Sequence, residues 1–546
     1  MWLDDLFPGE WKFSMAVVPI FLLCIAPTEA SYEFPAYRMY QYDYQSADVT
    51  DREAFGSSVA QVSFEGRAPD AKQITRKNVV MNLLDITSKQ SFNSLLEKNP
   101  GSVLIILPDF MRTEDFRNVT KETLDQIAEA ERALLDFPVT QIPIYFSYET
   151  AELKQIQEEL KDLSDMSGAS AVLYAGSAVL HQFSVTQKQP EVLKAQLDAI
   201  ESRLDGISGS PTILVTTKMD AFASSFALAR GANSAASGLG VTLEIARSLS
   251  MLFIDDSTRP QYNILFAIMP ADSINYVSTR NWLDAKDKNE NSATLKNIHL
   301  AICLDALGSS SDGKLYAHVS KRPADGTLGN KFLKSLEAAA SVNSLELELI
   351  HKKINIQDES RKWQHERFAF KKVPSITLST FADPESPNRR SLADFSSRID
   401  KHQYATVTKT IGAGLLNTLY KNKAITHGIE VNGDAAFAWV ENLSASQSSA
   451  GNFTKRSFND IKKHMDTFTS NIELVNVGQG IDLYNTHEVV MSQFLVRPPI
   501  FDLYLGSVVG LWLGLVYLLI TNFNEIIACL KPLLSRPDLI KGKKIN

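Results

Sequence analysis

The stretch Thr216–Leu249 places a lysine and an aspartate where a strand pattern gives way to a helix pattern. The strand ends at "TTKMD", which holds Lys218 and Asp220, and a turn of glycine and small polar residues follows. The carboxyl end of such a strand and the start of the next helix meet at the edge of an open α/β sheet, where ligand pockets lie. These two residues are therefore candidates for a site, although most strand–turn–helix units serve packing alone.

Other common catalytic motifs do not occur in the sequence. None of the nine histidines forms an HExxH or another short ligand pair. No GxSxG nucleophile elbow and no GxxxxGK[ST] phosphate loop is present. His318 and His365 are interpreted as core or surface residues. The net charge of −8 and an ordinary share of 22% charged residues argue against nucleic acid as a partner.

A chain of 546 residues exceeds the size of one hydrophobic core, so two or three packed units are expected. In the first unit, "SVLIILPDF" (Ser102–Phe110) and "IPIYFSYE" are strand patterns that flank a helix pattern. Strand, helix and strand at this spacing predict an N-terminal α/β lobe, residues 31–207.

The second unit, residues 208–424, alternates strand and helix patterns more densely. Its strand patterns are "PTILVTT", "YNILFAIM", "IHLAICLDALG", "LYAHVS" and "VPSITLS". Helix patterns include Val241–Leu252 and Thr406–Tyr420. The alternation predicts a mixed α/β sheet flanked by helices on both faces.

Residues 425–497 are more polar and form a predicted membrane-proximal segment. An amphipathic stretch within it carries its apolar residues on one face. These residues are Phe458, Ile461, Met465, Phe468 and Ile472. The face either packs on the second lobe or meets a partner close to the membrane.

Two apolar segments predict the compartment. "MAVVPIFLLCIAPTEA" ends in small residues, which indicates a secretory signal peptide, residues 1–30, although a buried helix or an uncleaved anchor remains the alternative. Residues 500–523 are long and apolar enough for a transmembrane helix. The lysines and arginine that follow place the tail, residues 524–546, in the cytosol and the bulk of the chain in the lumen, as in a single-pass type I protein.

Short motifs agree with a lumenal glycoprotein. Sequons at Asn118, Asn442 and Asn452 predict glycosylation at the surface. Lys543 and Lys544, in the final "KKIN", resemble the dilysine retrieval signal of type I proteins of the endoplasmic reticulum membrane.

The predicted membrane helix indicates a partner of its own. Gly506, Gly510 and Gly514 form two overlapping GxxxG units on one face. Because glycines let another helix approach closely, we expect this face to pack against a second membrane helix. Glycine is frequent in membrane helices in general, so the pattern alone does not establish the contact.

The "TTKMD" strand end and the "GANSAASG" turn resemble the zinc aminopeptidase-type fold of co-catalytic metallopeptidases, with its "HxD" strand end and "GADDN-SG" turn. There, acids and imidazoles bind two ions and a glutamate takes a proton from the bridging water. The resemblance implies a degenerate pocket in this chain, because only one clear ligand of five is kept. Lys218 occupies the position of the first histidine, and the orienting aspartate is kept as Asp220. Asn233 replaces the bridging aspartate, and Asp272 and Ser273 replace the glutamate pair. The next aspartate is retained as Asp305, and Asp400 occupies the position of the last histidine.

A lysine in this position opposes metal binding. At about 4 Å an ammonium group and a dication repel each other by roughly 8 kcal/mol at an effective dielectric constant near 20. Asn233 also lacks the charged carboxylate that bridges two ions. No metal or other cofactor is therefore expected, and Lys218 is expected to replace the missing cation. Its partner would be one of the surviving acids, Asp220, Asp305 or Asp400.

Four further segments carry a second resemblance, which covers nearly the whole chain beyond the signal. They are "YRMYQYD" (Tyr37–Asp43), "HVSKRPADGTL" (His318–Leu328), "RFAFKKVPSITLS" (Arg367–Ser379) and "RPPIFDLY" (Arg497–Tyr504). These segments resemble the nicalin family of nicastrin-like glycoproteins of the endoplasmic reticulum. The resemblance implies a catalytically inactive scaffold in a translocon-associated complex with nodal modulator and transmembrane protein 147. Its implied clients are multi-pass membrane proteins, including nicotinic receptor subunits.

Two other functions stay open at the level of sequence. An active lumenal aminopeptidase would need an atypical metal site. Such a site would use Asp220, Asp272 and Asp305 with His365 or His402. A nicastrin-like γ-secretase subunit is a weaker match, because the cysteine-rich lumenal domain of nicastrin has no counterpart in this sequence.

Overall fold

The computed structural model describes the chain in twelve ranges. They are residues 31–45, 52–135, 137–165, 180–186, 189–193, 197–288, 293–308, 312–420, 428–451, 453–485, 488–496 and 499–522. The predicted signal peptide, residues 1–30, and the predicted basic tail, residues 524–546, lie outside them.

The strands within these ranges form three sheets. In chain order they are β1 (Tyr32–Arg38), β2 (Gln41–Gln45), β3 (Arg52–Gly56), β4 (Val62–Arg67), β5 (Asn78–Asn82), β6 (Ser102–Leu107), β7 (Ile144–Tyr148), β8 (Leu180–Val185), β9 (Asp198–Leu204), β10 (Thr212–Lys218), β11 (Asn263–Met269), β12 (Ile298–Leu304), β13 (Lys314–Val319), β14 (Glu346–His351), β15 (Ser375–Ser379), β16 (Ser470–Asn476), β17 (Ile481–Leu483) and β18 (Glu488–Val496).

The α-helices lie between and after these strands. They are α1 (Lys89–Glu97), α2 (Asp109–Thr113), α3 (Lys121–Leu134), α4 (Ala151–Asp165), α5 (Ser237–Ile254), α6 (Val277–Lys288), α7 (Ala293–Asn297), α8 (Leu328–Val342), α9 (Gln364–Phe370), α10 (Lys401–Leu419), α11 (Gly433–Ser444), α12 (Lys455–Phe468) and α13 (Pro499–Thr521).

The first lobe is a closed barrel with the strand order β1-β18-β8-β4-β5-β6-β7, and a small sheet β17-β2-β3 accompanies it. Its parallel strand β6 is buried along its whole length, because both of its faces are covered. Val103 and Ile105 join a core with α1 and α3, whereas Leu104 and Ile106 join a core with α4. Covering on both faces explains the unbroken apolar run in the sequence.

The second lobe is built on an eight-stranded sheet, β14-β13-β15-β12-β10-β11-β9-β16. Its central strands β11, β10, β12 and β15 run parallel. Strand β9 runs antiparallel to both β11 and β16, and β13 runs antiparallel to β15 but parallel to β14. Ile213 and Val215 face a core built with α5, α8, α10, α11 and α12, and Leu214 faces a core that contains Trp282 of α6 and Phe368 of α9. The predicted mixed sheet with helices on both faces is confirmed.

The sheets do not follow the predicted division of the chain. Strand β9, placed by the sequence in the region 31–207, pairs with β11 in the second lobe. The segment 425–497 is shared between the lobes: β16 pairs with β9, whereas β17 pairs with β2 and β18 with β1 and β8. A strand pairs with whichever strand edge lies beside it in the fold, and local sequence patterns do not encode that partner.

The amphipathic stretch of this segment packs on the second lobe. Ile461 and Met465 of α12 are fully buried in its core, and Phe458 packs against the same core. Helix α12 ends at Phe468, so Ile472 belongs to β16. Of the two expectations for this face, the structure supports packing on the lobe.

Two long apolar helices are candidates for a membrane-spanning segment. The stretch Ala232–Ile254 is long and apolar enough, but 83% of it is buried within the second lobe, so it is a core helix. Helix α13 has 23 residues, and Leu503, Leu511 and Tyr517 on it are 70%, 75% and 66% exposed. Of the two, α13 is the one that presents its apolar side chains outward.

Candidate functional site

The candidate site lies at the carboxyl edge of the parallel strands of the second lobe. Lys218 ends β10, and Asp305 directly follows the neighbouring strand β12. A π-helical turn, Ala232–Ala236, leads into α5 over the same edge. Gly238 allows this close packing, because a Cβ there would lie 2.5 Å from the carbonyl oxygen of Leu304. Because β10 and β12 are adjacent and parallel, their carboxyl ends bring Lys218 and Asp305 together. The strand patterns before these two residues in the sequence indicated such a shared edge.

Lys218 and Asp305 form the centre of a buried ion cluster. The Lys218 Nζ lies 3.0 Å from Asp305 Oδ1, an ion pair whose angle falls short of a well-directed hydrogen bond. Arg389 donates from Nη2 to Asp305 Oδ2 at 2.7 Å and to the hydroxyl of Tyr276 at 2.9 Å. Tyr276 in turn donates to Asp305 Oδ2 at 3.0 Å. Two cations thus share one carboxylate. We refer to these four residues as the ion cluster.

The charge on Asp305 is stabilised by its neighbours. Burial alone would raise the pKa of this carboxyl, but the positive charges of Arg389 and Lys218 outweigh burial and lower the pKa to about 2. All four members of the ion cluster are at most 9% exposed. Asp305 is therefore ionised at neutral pH, and a fixed positive charge lies on each side of it.

Asp220 and Asp272 occupy a second buried cluster whose partners are neutral. Asp220 accepts from the backbone N–H groups of Asp272 at 2.9 Å and Ser273 at 3.1 Å, and also from the Ser273 hydroxyl. Asp272 accepts from the backbone of Thr279 at 2.8 Å and from Gln364 Nε2 at 2.9 Å. Burial raises the pKa of Asp220 to about 6 and that of Asp272 to about 7. These hydrogen bonds oppose the effect of burial and, for Asp220, so does the positive charge of Lys218. We refer to these five residues as the neutral cluster.

The side chain of Asn233 accepts a hydrogen bond from the backbone. Its Oδ1 accepts from the N–H of Gly308 at 2.7 Å, which ties the turn before α5 to the chain after β12. The carboxylate of Asp394 accepts from the backbone N–H groups of Asn233 at 2.7 Å and Ser234 at 2.9 Å. Asp394 therefore satisfies amides at the start of the helical segment, where an acid is also favoured by the helix dipole.

Asp400 does not join these clusters. It is exposed at the N-terminus of α10, where its Oδ1 accepts from the backbone N–H groups of His402 at 2.9 Å and Gln403 at 3.1 Å. The expectation that Asp400 lies in the pocket is therefore corrected: its carboxylate caps a helix. His402 is exposed as well, so it does not supply the alternative ligand in its place.

The two buried histidines have partners that account for them. His365 Nδ1 lies 2.9 Å from the hydroxyl of Thr377, and burial lowers the pKa of His365 to about 3. His318 stacks on Trp363 with 4.1 Å between the ring centroids, and burial lowers its pKa to about 4. Both are core residues, as interpreted from the sequence.

The residues present do not fit the zinc pair that an aminopeptidase-type site implies. Both oxygens of Asp305, the one clear ligand retained, face cations. Asn233 uses its Oδ1 on a backbone amide. Across the part of the chain that the structure describes, no group of three or more His, Cys, Asp or Glu side chains is arranged to hold a metal ion.

Sequence reasoning missed several residues of the site. Arg389, Tyr276, Gln364 and Asp394 lie in loops or at the start of a helix, with no local pattern that marks them as functional. Arg389 is 84 positions from Asp305, and only the fold brings the two together. Two adjacent arginines in "PNRRS" were the one available signal, and such pairs are usually surface residues.

The sequon asparagines and the α13 glycines that lie within the described residues are on the surface. Asn118 and Asn442 are exposed, whereas Asn452, Lys543 and Lys544 lie outside the described residues. Gly506, Gly510 and Gly514 are exposed on α13, and a Cβ added at any of them would have no atom within 4 Å. This glycine face therefore has room for another helix.

Comparisons with known proteins agree with the fold. Residues 211–384 match the family model for the nicastrin large lobe. The crystal structure of the gamma-secretase component nicastrin aligns with a TM-score of 0.54 at 14% identity, covering 85% of this chain and 93% of that one. At this identity the likeness shows a shared fold alone.

Full-length relatives are more similar. The BOS complex subunit NCLN of Rattus norvegicus is 31% identical over 95% of this chain and 94% of its own length. The protein named nicalin in Caenorhabditis elegans is 25% identical over 70% of this chain and 68% of its own length. Because the first match spans nearly both chains, the protein belongs to the family of BOS complex subunit NCLN, or nicalin.

Proposed function

We propose that this protein is a non-enzymatic scaffold subunit of a membrane complex in the endoplasmic reticulum. Relatives at about 30% identity carry the name BOS complex subunit, and we assign this chain the same kind of complex. Its proposed partners are a nodal modulator-like protein, a small multi-pass protein similar to transmembrane protein 147, and the translocon. Its proposed role is to assist the biogenesis or assembly of multi-pass membrane proteins, nicotinic receptor subunits among them.

The ion cluster is the observation that carries the non-enzymatic part of this proposal. A hydrolytic zinc site needs anionic and imidazole ligands that face open coordination positions. Here Lys218 and Arg389 direct positive charge at the carboxylate of Asp305 from both sides. Both carboxylate oxygens of Asp305 are therefore engaged by protein cations. This arrangement supports a fold that keeps the backbone of a peptidase while serving another purpose.

Helix α13 supports the membrane part of the proposal. Its 23 residues span roughly 35 Å at the rise of an α-helix, enough to cross the hydrocarbon layer of a membrane. We propose a single-pass type I arrangement with the two lobes in the lumen, glycans at Asn118 and Asn442, and retrieval by Lys543 and Lys544. The exposed positions of Asn118 and Asn442 support the proposed glycans.

Affinity purification of the full chain in mild detergent tests the proposal, with identification of every associated membrane protein. The expected companions are a nodal modulator-like protein, a small multi-pass protein and translocon subunits. Gly510→Leu should lower recovery of the multi-pass partner, because a leucine side chain on the glycine face holds the two helices apart. Val508→Leu, on the opposite face of α13, serves as the control and should leave recovery unchanged.

Other results would support other functions. Recovery of presenilin in place of translocon subunits would favour a γ-secretase subunit. Stoichiometric zinc together with peptide turnover by the purified chain would favour an aminopeptidase. Equal recovery of the multi-pass partner with Gly510→Leu and Val508→Leu would remove the glycine face from the proposed interface.

A further inference from the structure

We propose that the pocket over the ion cluster binds an anionic group, a carboxylate or a phosphate, carried by a small ligand or by the end of a chain. This pocket, which we call the basic pocket, has a volume of about 270 Å³. Six cationic residues line it: Arg132, Lys218, Arg361, Lys362, Arg389 and Arg390. Two acidic residues, Asp272 and Glu385, also line it.

Positive charge exceeds negative charge in the walls of the basic pocket. Lys218 and Arg389 both face the carboxylate of Asp305, and the charge of Lys218 also acts on the nearby Asp220, so these two cations are largely balanced by protein acids. Arg361 carries the excess. It is 9% exposed, donates to the carbonyl oxygen of Asn355 at 3.0 Å and lies over the ring of Phe370. Its charge acts on the carboxyl of Glu366, but it forms no ion pair with a carboxylate in the part of the chain that the structure describes.

Asp272 does not offset this excess at neutral pH. Burial raises the pKa of its carboxyl to about 7, so a large share of these groups is protonated there. Its oxygens are also committed to Thr279 and Gln364 within the neutral cluster. A buried cation without a counter-charge is costly, and an anion that enters the pocket relieves this cost.

The mouth of the basic pocket allows an anion to enter. Lys362 pairs with Glu385 at 2.8 Å, but the two side chains are 34% and 68% exposed, so a ligand can compete with Glu385 for the lysine. Ser360, Ser386 and Asn275 add neutral polar groups to the lining. The volume lies near the lower end of ligand pockets in general, about 300 Å³, which suits a small molecule or a terminal residue.

Anion binding by the basic pocket does not depend on the proposed scaffold function. It is measured on the purified chain in the absence of any partner. The probes are inorganic phosphate, an acetylated dipeptide with a free carboxylate, and the same dipeptide as its amide. Calorimetric titration of the full chain in detergent at low ionic strength gives the affinity for each probe. At least one anionic probe should bind, the amide should not, and added salt should weaken the binding.

Two variants locate the binding. Arg361→Gln and Lys362→Gln should each weaken the anionic probe about tenfold or more, since each removes a charged partner. Arg398→Gln is the matched control: Arg398 also donates to a backbone carbonyl and lies over a phenylalanine ring, but it does not line the pocket. If Arg361→Gln fails to fold, Lys362→Gln at the mouth still tests the site.

Each outcome decides the proposal or identifies the ligand. Tighter binding of phosphate assigns a phosphate group, and tighter binding of the free dipeptide assigns a carboxylate. The proposal is overturned if neither anion binds, if the amide binds as tightly as the acid, or if Arg398→Gln weakens binding as much as the two pocket variants.

Discussion

The ion cluster and the neutral cluster lie side by side at one edge of the same sheet, yet they hold their carboxylates in opposite ways. In the ion cluster, Lys218 and Arg389 lower the pKa of Asp305 to about 2. In the neutral cluster, hydrogen bonds from uncharged groups do not compensate for burial, and the pKa of Asp272 rises to about 7. Equal burial therefore produces an ionised acid in one place and a readily protonated acid in the other.

The contrast shows what replaces a metal ion in such a fold. A carboxylate in a dry interior keeps its charge only where a fixed cation faces it. Lys218 supplies that cation at a strand end, and Arg389 supplies another from a distant loop. Asp220 and Asp272 form no ion pair with any residue that the structure describes. Their hydrogen-bond donors are uncharged, so these acids accept a proton more readily than Asp305. The following changes test this contrast, from the largest expected effect to the smallest.

Asp305→Ala should be the most destabilising change. It leaves Lys218 and Arg389 buried without a counter-charge, and removal of one partner of a buried ion pair costs about 3–5 kcal/mol. The measurement is the unfolding midpoint of the purified chain in detergent. A loss of under about 1 kcal/mol would mean that the two cations are not held in place by this carboxylate.

Lys218→Met should cost less, about 1–3 kcal/mol, because Arg389 still faces Asp305 after the ammonium group is removed. Lys218→His should not bring zinc into the site, since Arg389 still faces Asp305 and Asn233 still lacks a charged carboxylate. Elemental analysis of the purified Lys218→His variant measures this directly. One or two equivalents of tightly held zinc would show that the lysine alone prevented metal binding.

Asp272→Asn should flatten the dependence of stability on pH between 3.8 and about 7. With its pKa raised from 3.8 to about 7, the folded protein holds a proton on Asp272 that the unfolded chain has released between these values. This contribution to stability is present at the acidic end of the window and is lost as the pH rises through about 7. The amide cannot titrate, so the slope should flatten in the variant.

The contribution of Asp305 to stability should depend on pH in the opposite direction. Its pKa is lowered from 3.8 to about 2, so its contribution is present above 3.8 and is lost as the pH falls toward 2. An unchanged slope between pH 3.8 and 7 in Asp272→Asn would assign the titration to another group, with Asp220, whose pKa is about 6, as the first to test by the same substitution.

Asp400→Ala should have the smallest effect, about 1 kcal/mol, as for the loss of a helix cap. Asp400 is exposed, and its carboxylate accepts two backbone N–H groups at the start of α10. Asp400→Asn should recover most of the loss, because asparagine caps nearly as well. A cost similar to that of Asp305→Ala would place Asp400 in the buried site after all.

Much of the second lobe could be predicted from the sequence. Its central strands are continuous apolar runs with polar residues at their carboxyl ends, and the structure places strands at these positions. The neighbouring parallel ends brought Lys218, Asp220, Asp272 and Asp305 to one edge. The sequence could not choose the partner of Lys218 among three acids, because that choice depends on side-chain distances of a few ångströms.

The remaining parts depend on contacts between distant residues. Strands β16, β17 and β18 come from one segment but belong to three different sheets, since each pairs with an edge that is formed elsewhere in the chain. Asp400 has the residue type of a pocket acid, yet the start of α10 at Lys401 commits it to capping. Arg389 has no local signal at all.

The sequence by itself determined the type of sheet, the strand ends that carry polar side chains, and the presence of a lysine in place of a metal ligand. These properties follow from residue type and periodicity, which are local. Only the tertiary structure decided that Asp305 forms ion pairs with both cations while Asp220 and Asp272 are held by uncharged hydrogen-bond donors, and that the walls of the pocket carry excess positive charge. Electrostatic energies depend on distance and burial, and both are set by how separate elements pack.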